Sequence, residues 1–195
     1  MDPTLLALLP PTLLRWAPPL RQVRYDRVGT AGGFDLPRAS HEERWEAPTQ
    51  VGEAVHIRRR THDLADAKSP RLVEDAMISY GADGLCDLGT FGADGLLSAW
   101  DPPSVVLPAS PAPGLSWLAA HQRATTVTER SVELQSCTEH AHCLVSVAQT
   151  RRTDGLLILR THFGDGAGFQ GWEALVQSPG QPVVRLWTEA VTTSR

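Results

Sequence analysis

The sequence predicts a mainly β protein: a curved antiparallel sheet, half-barrel or open barrel, with a short helical or irregular segment at the N-terminus. Three observations predict it. Segments of alternating apolar and polar residues recur roughly every ten residues. Gly and Asp-Gly punctuate them, as in the near-identical Gly81-Ala82-Asp83-Gly84 and Gly92-Ala93-Asp94-Gly95, and Asp-Gly is the strongest short hairpin signal. A proline-rich stretch, Asp101–Trp117, separates two such runs.

In chain order, Leu5–Leu9 and Leu13–Trp16 are two apolar turns split by Pro10-Pro11. Each is too short to stand as an isolated helix, so they are expected to cover one face of the β structure. Arg21–Arg27 alternates, with Val23 and Tyr25 on one face. Arg38–Glu46 is a polar-rich strand ending near Trp45. Val51–Arg60 places Val51, Val55 and Ile57 on one side and His56, Arg58 and Arg60 on the other. Thr61–Ser69 reads as an exposed loop or one helical turn. Leu72–Tyr80 is read as a strand with Ile78 and Tyr80 inward, although Leu72, Val73, Ala76 and Met77 would also suit a short helix. Leu85–Phe91 and Leu96–Trp100 complete a tight meander. Beyond the prolines, the segments are Leu115–Thr128, Ser131–Cys137, Cys143–Thr150, Leu156–Phe163, Phe169–Gln177 and Val183–Glu189. The count is about ten strands, estimated from their spacing.

One domain of 195 residues is expected, with halves of about 20–100 and 114–190 joined by a connector over 101–114. Proline lacks an N–H donor, so neither a helix nor an interior strand is expected to run through the connector. Its Val105-Val106-Leu107 should pack against the sheet.

The bulk numbers exclude some classes. A formal charge of -4, with Lys68 the only lysine, argues against nucleic acid as a partner. Arg58-Arg59-Arg60 is the densest basic run, but a strand would alternate its faces. The apolar runs are too short and broken to make a transmembrane segment. Met1–Trp16 departs from a signal peptide: Asp2 replaces a positive start, and Pro3, Pro10 and Pro11 break the apolar run. The expected compartment is the cytosol by default, or the periplasm or exterior if a leader has been removed.

Cys137-Thr138-Glu139-His140-Ala141-His142-Cys143 is the most chemically loaded stretch. Two cysteines flanking a five-residue loop are candidates for a disulfide across a hairpin. Zinc on Cys137, His140, His142 and Cys143 is a second reading, weakened because His142 and Cys143 point to opposite faces of a strand. Free thiols beside a polar loop are the third. Cys86 reads as a small core residue. His41-Glu42-Glu43 and Glu74-Asp75 read as solvated charge, because charged side chains are rarely buried; adjacent acids on a strand face opposite sides and so do not converge. Gly164–Gly168 lacks the Gly-Lys-Ser/Thr ending of a phosphate loop. No motif assigns a catalytic residue, a metal or a cofactor. The six tryptophans suit core packing or the walls of an apolar cavity. The candidate binding residues are Trp100, Trp117, His121, Trp172 and Trp187.

Pro-Pro-x-x-Val-Leu-Pro followed by Pro-x-Pro-Gly-x-x-Trp, here within Pro102–Trp117, resembles the middle of bacterial proteins of the DUF3108-like and TapB-like groups. Those are similar to the LolA-like half-barrel of a periplasmic lipoprotein carrier. Gly166-Ala167-Gly168 matches a later corner of that pattern, and the resemblance covers about residues 81–177. It implies the fold more than any reaction. The function expected from it is a non-enzymatic binding module holding an apolar small molecule, lipid or partner peptide on a concave sheet face. A small β-barrel isomerase or cyclase, acting through cavity shape and one or two polar groups, is the alternative. A structural subunit of an envelope assembly is the third.

Overall fold

The computed structural model describes residues 3–18, 22–66, 68–123, 126–137, 143–152 and 155–190. Two short helices lead the chain, α1 (Pro3–Leu6) and α2 (Pro11–Trp16). The strands of the first half are β1 (Gln22–Ala31), β2 (Phe34–Asp35), β3 (Ala39–Trp45), β4 (Thr49–Val51), β5 (Ala54–Asp63), β6 (Arg71–Gly81) and β7 (Gly84–Phe91). Those of the second are β8 (Leu97–Pro108), β9 (Ser116–Arg123), β10 (Thr126–Ser136), β11 (Cys143–Arg152), β12 (Gly155–Gly164), β13 (Gly168–Gln177) and β14 (Val184–Ala190).

Among the described residues all fourteen strands belong to one antiparallel sheet. Apart from the short β2 and β4, each strand pairs with its neighbours along the chain, and β14 returns to pair with β1 from Tyr25↔Ala190 to Ala31↔Val184. The first and last strands therefore cover each other's edges, which removes two unpaired ladders. The opening lies elsewhere. Among the described residues β8 and β9 share one register pair, Asp101↔Gln122. The fold is an open, strongly curved barrel whose gap is the β8–β9 seam.

The proline-rich connector needs correction. Residues 101–108 are the last two thirds of β8, and only the stretch from Ala109 to Leu115 links the two halves. The strand tolerates Pro102 and Pro103 because they sit in a bulge. Asp87 pairs with Ser104 and Gly89 with Ala99, so Leu88 alone opposes the residues from Trp100 to Pro103. Bulges and edges are where a residue without an N–H donor costs no ladder bond. Beyond the bulge Leu107 is fully buried and Val106 packs on the core, as expected of this stretch. Gly84, with φ at +115°, opens β7 where its α-carbon meets the β8 backbone, so a side chain there would strike the Leu107 carbonyl.

Two further expectations shift. Leu115–Thr128 is not one strand: β9 and β10 pair with each other from Thr126↔Arg123 to Glu133↔Ser116. Alternation does not reveal where a chain reverses, so the two strands read as one. Val51 lies in the separate strand β4 and is half exposed, whereas Val55 and Ile57 are buried. Ile78 and Tyr80 point inward on β6 as read.

The core occupies one end of the barrel. Val55, Ile57, Ile78, Tyr80, Leu85, Leu107, Leu134, Leu144 and Phe163 converge there from the surrounding strands. Leu9, Leu13 and Ala17 enter among them, so the helical segment plugs that end. The plug is pinned at its rim. The Arg15 guanidinium pairs with Asp165, Gly166 N–H donates to the Arg15 carbonyl at 2.7 Å, and the Thr12 hydroxyl donates to the Ala109 carbonyl at 2.6 Å. Leu13 is fully buried, so truncating it removes apolar contact and leaves a cavity. We expect Leu13→Ala to lower the unfolding free energy by about 2–5 kcal/mol in urea titrations. Leu8→Ala, at a site that is 40% exposed, should change it by less than about 0.5 kcal/mol.

Candidate functional site

Away from the plugged end, the inward faces of the same strands carry charge. Side chains two apart share a face, so the buried Ile57 on β5 is followed inward by Arg59 and Thr61. Register places Trp45 opposite Arg59, Glu43 opposite Thr61, and Thr61 opposite Glu74. Ile78 faces Asp87. On the far wall Arg130 lies opposite Thr150, on the face of the buried Val132 and Leu134. Tyr25 stacks on His41 with ring centroids 5.5 Å apart and planes 4° from parallel. Three carboxyl groups and two guanidinium groups thus face one lumen.

Each group's chemistry follows from its neighbours. Arg59 donates to the Glu74 carboxylate at 2.8 Å. Burial opposes its charge, and the fields of Glu74, Glu43 and Asp87 restore it, leaving its pKa above the ordinary value. Its side chain keeps 23% of its surface accessible, so it is not sealed in the dry core. Glu43 is buried, and burial raises its pKa. The Arg59 charge, the Tyr25 hydroxyl and the Trp45 indole pull the other way without cancelling that rise. Burial likewise raises Asp87, against the Gly89 N–H that donates to it at 2.9 Å. Arg130 is pushed down by burial. It donates to the Ser104 hydroxyl at 2.8 Å and to the Thr150 hydroxyl at 3.3 Å, crossing from β10 to β8. One donor in this set, Arg59 Nε, is buried without a formed hydrogen bond, and the buried indole N–H of its register partner Trp45 is turned toward Glu43.

The expectation of solvated charge holds for Glu74, whose side chain is 43% exposed, and fails for Glu42 and Glu43. Glu42 and Glu43 are both buried, on opposite faces. On the outer face Glu42 accepts from Gln22 at 2.7 Å, Arg24 at 2.6 Å and Arg44. Burial pushes its carboxyl up, but these three donors outweigh it and hold the pKa below the usual value. Asp75 faces outward to Arg58, in a paired contact at 2.7 Å, while its neighbour Glu74 turns toward Arg59.

The tryptophans do not assemble as one wall. Trp117 packs on the core from β9, opposite the inward Val132. Trp172 is inward on β13, paired with Thr161, and acts on the Tyr25 hydroxyl as a donor. Trp100 lies half-buried in the β8 bulge. Trp187 is on the outer face: it sits opposite Glu173, and its indole donates to Glu189 at 3.4 Å. Alternation alone does not say which face of its strand is concave. His121 pairs with Thr128 through β9, and its side chain lies outside the described residues. His140 and His142 also fall outside them. Cys137 and Cys143 form a disulfide that closes the β10–β11 hairpin, with α-carbons 5.3 Å apart. Cys86 is buried and free, its thiol pushed up to about 11 by burial. A cleft of about 390 Å³ is lined by Trp117, Leu118, Glu133 and Gln149 among others, on the β9–β11 wall. No family model, curated protein or solved structure matches the chain.

Glu42 and Glu43 should respond to pH with opposite signs. Glu43 has a raised folded pKa, so its contribution to stability is present at low pH and lost as pH rises through that value. Glu43→Gln should therefore gain stability relative to the parent as pH rises above the ordinary carboxylate range, about 4. Glu42 has a depressed pKa, so its contribution is present at neutral pH and lost on acidification. Glu42→Gln should cost about 1–2 kcal/mol near neutrality, the gap closing as pH falls through that depressed pKa. Urea midpoints measured across pH for the three proteins check both signs.

Proposed function

We propose that the protein is a non-enzymatic binding module that holds a small amphiphilic molecule in the lumen of its curved sheet. The observation that carries this is Arg59 Nε, a donor buried on the inner face without a formed hydrogen bond. Leaving a buried donor unmade costs about 1–3 kcal/mol, which a ligand acceptor recovers. The apolar body of the ligand lies toward Trp117 and Val106, which flank the core without being fully covered. Its polar head, a carboxylate or carbonyl, lies toward Arg59 and Trp45. The LolA-like resemblance supports a concave apolar binding face, and the lumen adds a polar end to it.

The test is native mass spectrometry of the full chain as purified, followed by titration with a series of medium- and long-chain fatty acids and the matching alcohols. A bound adduct of lipid size, or 1:1 binding with acids preferred over alcohols, is expected. Arg59→Lys keeps the charge and removes the Nε donor, and should weaken binding by about 2–10-fold. No adduct and no binding across the series would overturn the proposal.

A second reading rests on Glu43, a buried carboxyl with a raised pKa beside the Tyr25 hydroxyl. Groups of that kind serve as general acids in isomerases and cyclases. Such a reaction leaves mass unchanged. If the parent, but not Glu43→Gln, returns a bound compound with altered chromatographic retention at constant mass, isomerisation replaces simple binding. Unaltered recovery from both proteins leaves binding alone.

A further inference from the structure

On the outer face, at the end of the barrel where β10 turns into β11, two sulfurs and an imidazole meet. Cys143 pairs with Gly164, and Val145, two residues on, pairs with His162, so Cys143 and His162 share a face. The sulfur atoms of Cys137 and Cys143 and a ring nitrogen of His162 lie within 4.8 Å of one another. His162 is the member no sequence spacing reveals, because it arrives from β12. Its Nε2 is buried and makes no hydrogen bond. The Glu173 carboxylate stands 3.7 Å from it, a separation closer to that of two ligands on one tetrahedral ion than to a hydrogen bond.

We propose that, with the disulfide reduced, Cys137, Cys143 and His162 bind one zinc ion, and that the disulfide and the metal are mutually exclusive states of this corner. The donor set is the one zinc selects: two soft thiolates and an imidazole, with a carboxylate oxygen or water completing four. Two sulfurs already brought together by the hairpin need little movement to span an ion, since zinc–sulfur bonds are about 2.3 Å and zinc–nitrogen bonds about 2.0 Å. The chemistry balances. A phosphine reductant takes the oxygen of one water and delivers two electrons and two protons to the disulfide, giving two thiols and a phosphine oxide. Zinc then displaces both thiol protons into solvent and binds two thiolates, with His162 neutral. Oxidation to the disulfide removes the two anionic ligands, and the imidazole left behind does not hold the ion alone.

The experiment uses the full chain, treated anaerobically with a phosphine, freed of reductant and titrated with zinc chloride. Reduced protein should retain one zinc per chain in native mass spectrometry, and oxidised protein none. X-ray absorption at the zinc edge should fit two sulfur scatterers plus imidazole. His162→Ala should weaken binding tenfold or more, and His162→Cys, which restores a ligand, should recover it. Circular dichroism of the metal-free variants establishes that they are folded. The absorption spectrum of the parent gives the ligand set even if a variant is not. The proposal fails if reduced protein retains no zinc, if folded His162→Ala binds as tightly as the parent, or if the edge spectrum shows no imidazole.

Discussion

The barrel depends on how its seam is held. Between β8 and β9 the backbone ladder is nearly absent among the described residues, and a gap of that kind in a sheet invites slippage or pairing with another chain. Side chains from the inner face cross it. Arg130 on β10 reaches the Ser104 hydroxyl on β8, and the Ser146 hydroxyl on β11 donates to the Val106 carbonyl at 3.1 Å. Both anchors on β8 lie just after Pro103, where the strand leaves its bulge. The prolines take N–H donors out of the ladder, and the hydroxyls and the guanidinium tie the strand back from within.

That arrangement divides the interior. At one end the helical segment enters among leucines and closes a dry core, pinned by Thr12 to the short linker after β8 and by Arg15 to the corner between β12 and β13. At the other, the seam's own polar contacts keep hydroxyls and a guanidinium on the inner wall, and those groups require either water or charge partners. Asp87, Glu74 and Glu43 supply the charge, and Arg59 stands among them. The plug thus accounts for the apolar end, and the open seam for the polar one. Among the described residues Arg59 Nε stands at the polar end without a formed hydrogen bond, which is why the proposed ligand is given a polar head.

The fold was legible because period-two alternation and Asp-Gly turns are local signals. Ile57, Ile78 and Tyr80 point where alternation puts them, and the two Gly-Ala-Asp-Gly turns fall at the β6–β7 and β7–β8 reversals. What alternation lacks is an absolute sense of inside. It separates Glu42 from Glu43, but does not say which of the two faces the lumen. That is fixed by curvature, a property of the whole sheet. The site was illegible for the same reason: Arg59, Glu74, Asp87 and Arg130 come from four strands and share no motif. His162 is hidden likewise, since only the pairing of β11 with β12 brings it to the cysteines.

The adjacent charges show how the sheet fixes that sense. Arg58, Arg59 and Arg60 alternate, and so do Glu42-Glu43 and Glu74-Asp75. On the outer face Arg58 and Arg60 both reach Asp75, Arg60 also reaches Glu46, and Glu42 is gripped by Arg24 and Arg44. Ion pairs on an exposed face contribute little stability individually. Their effect here is on register. Moving β5 by one residue against β6 would expose Arg59 and turn Arg58 inward, breaking the paired contact to Asp75 on one side and the bond to Glu74 on the other. Each run of like charge therefore matches its neighbour in only one register, with both faces satisfied at once. The outer clamps, weak as attachments, set which carboxylate and which guanidinium the lumen receives.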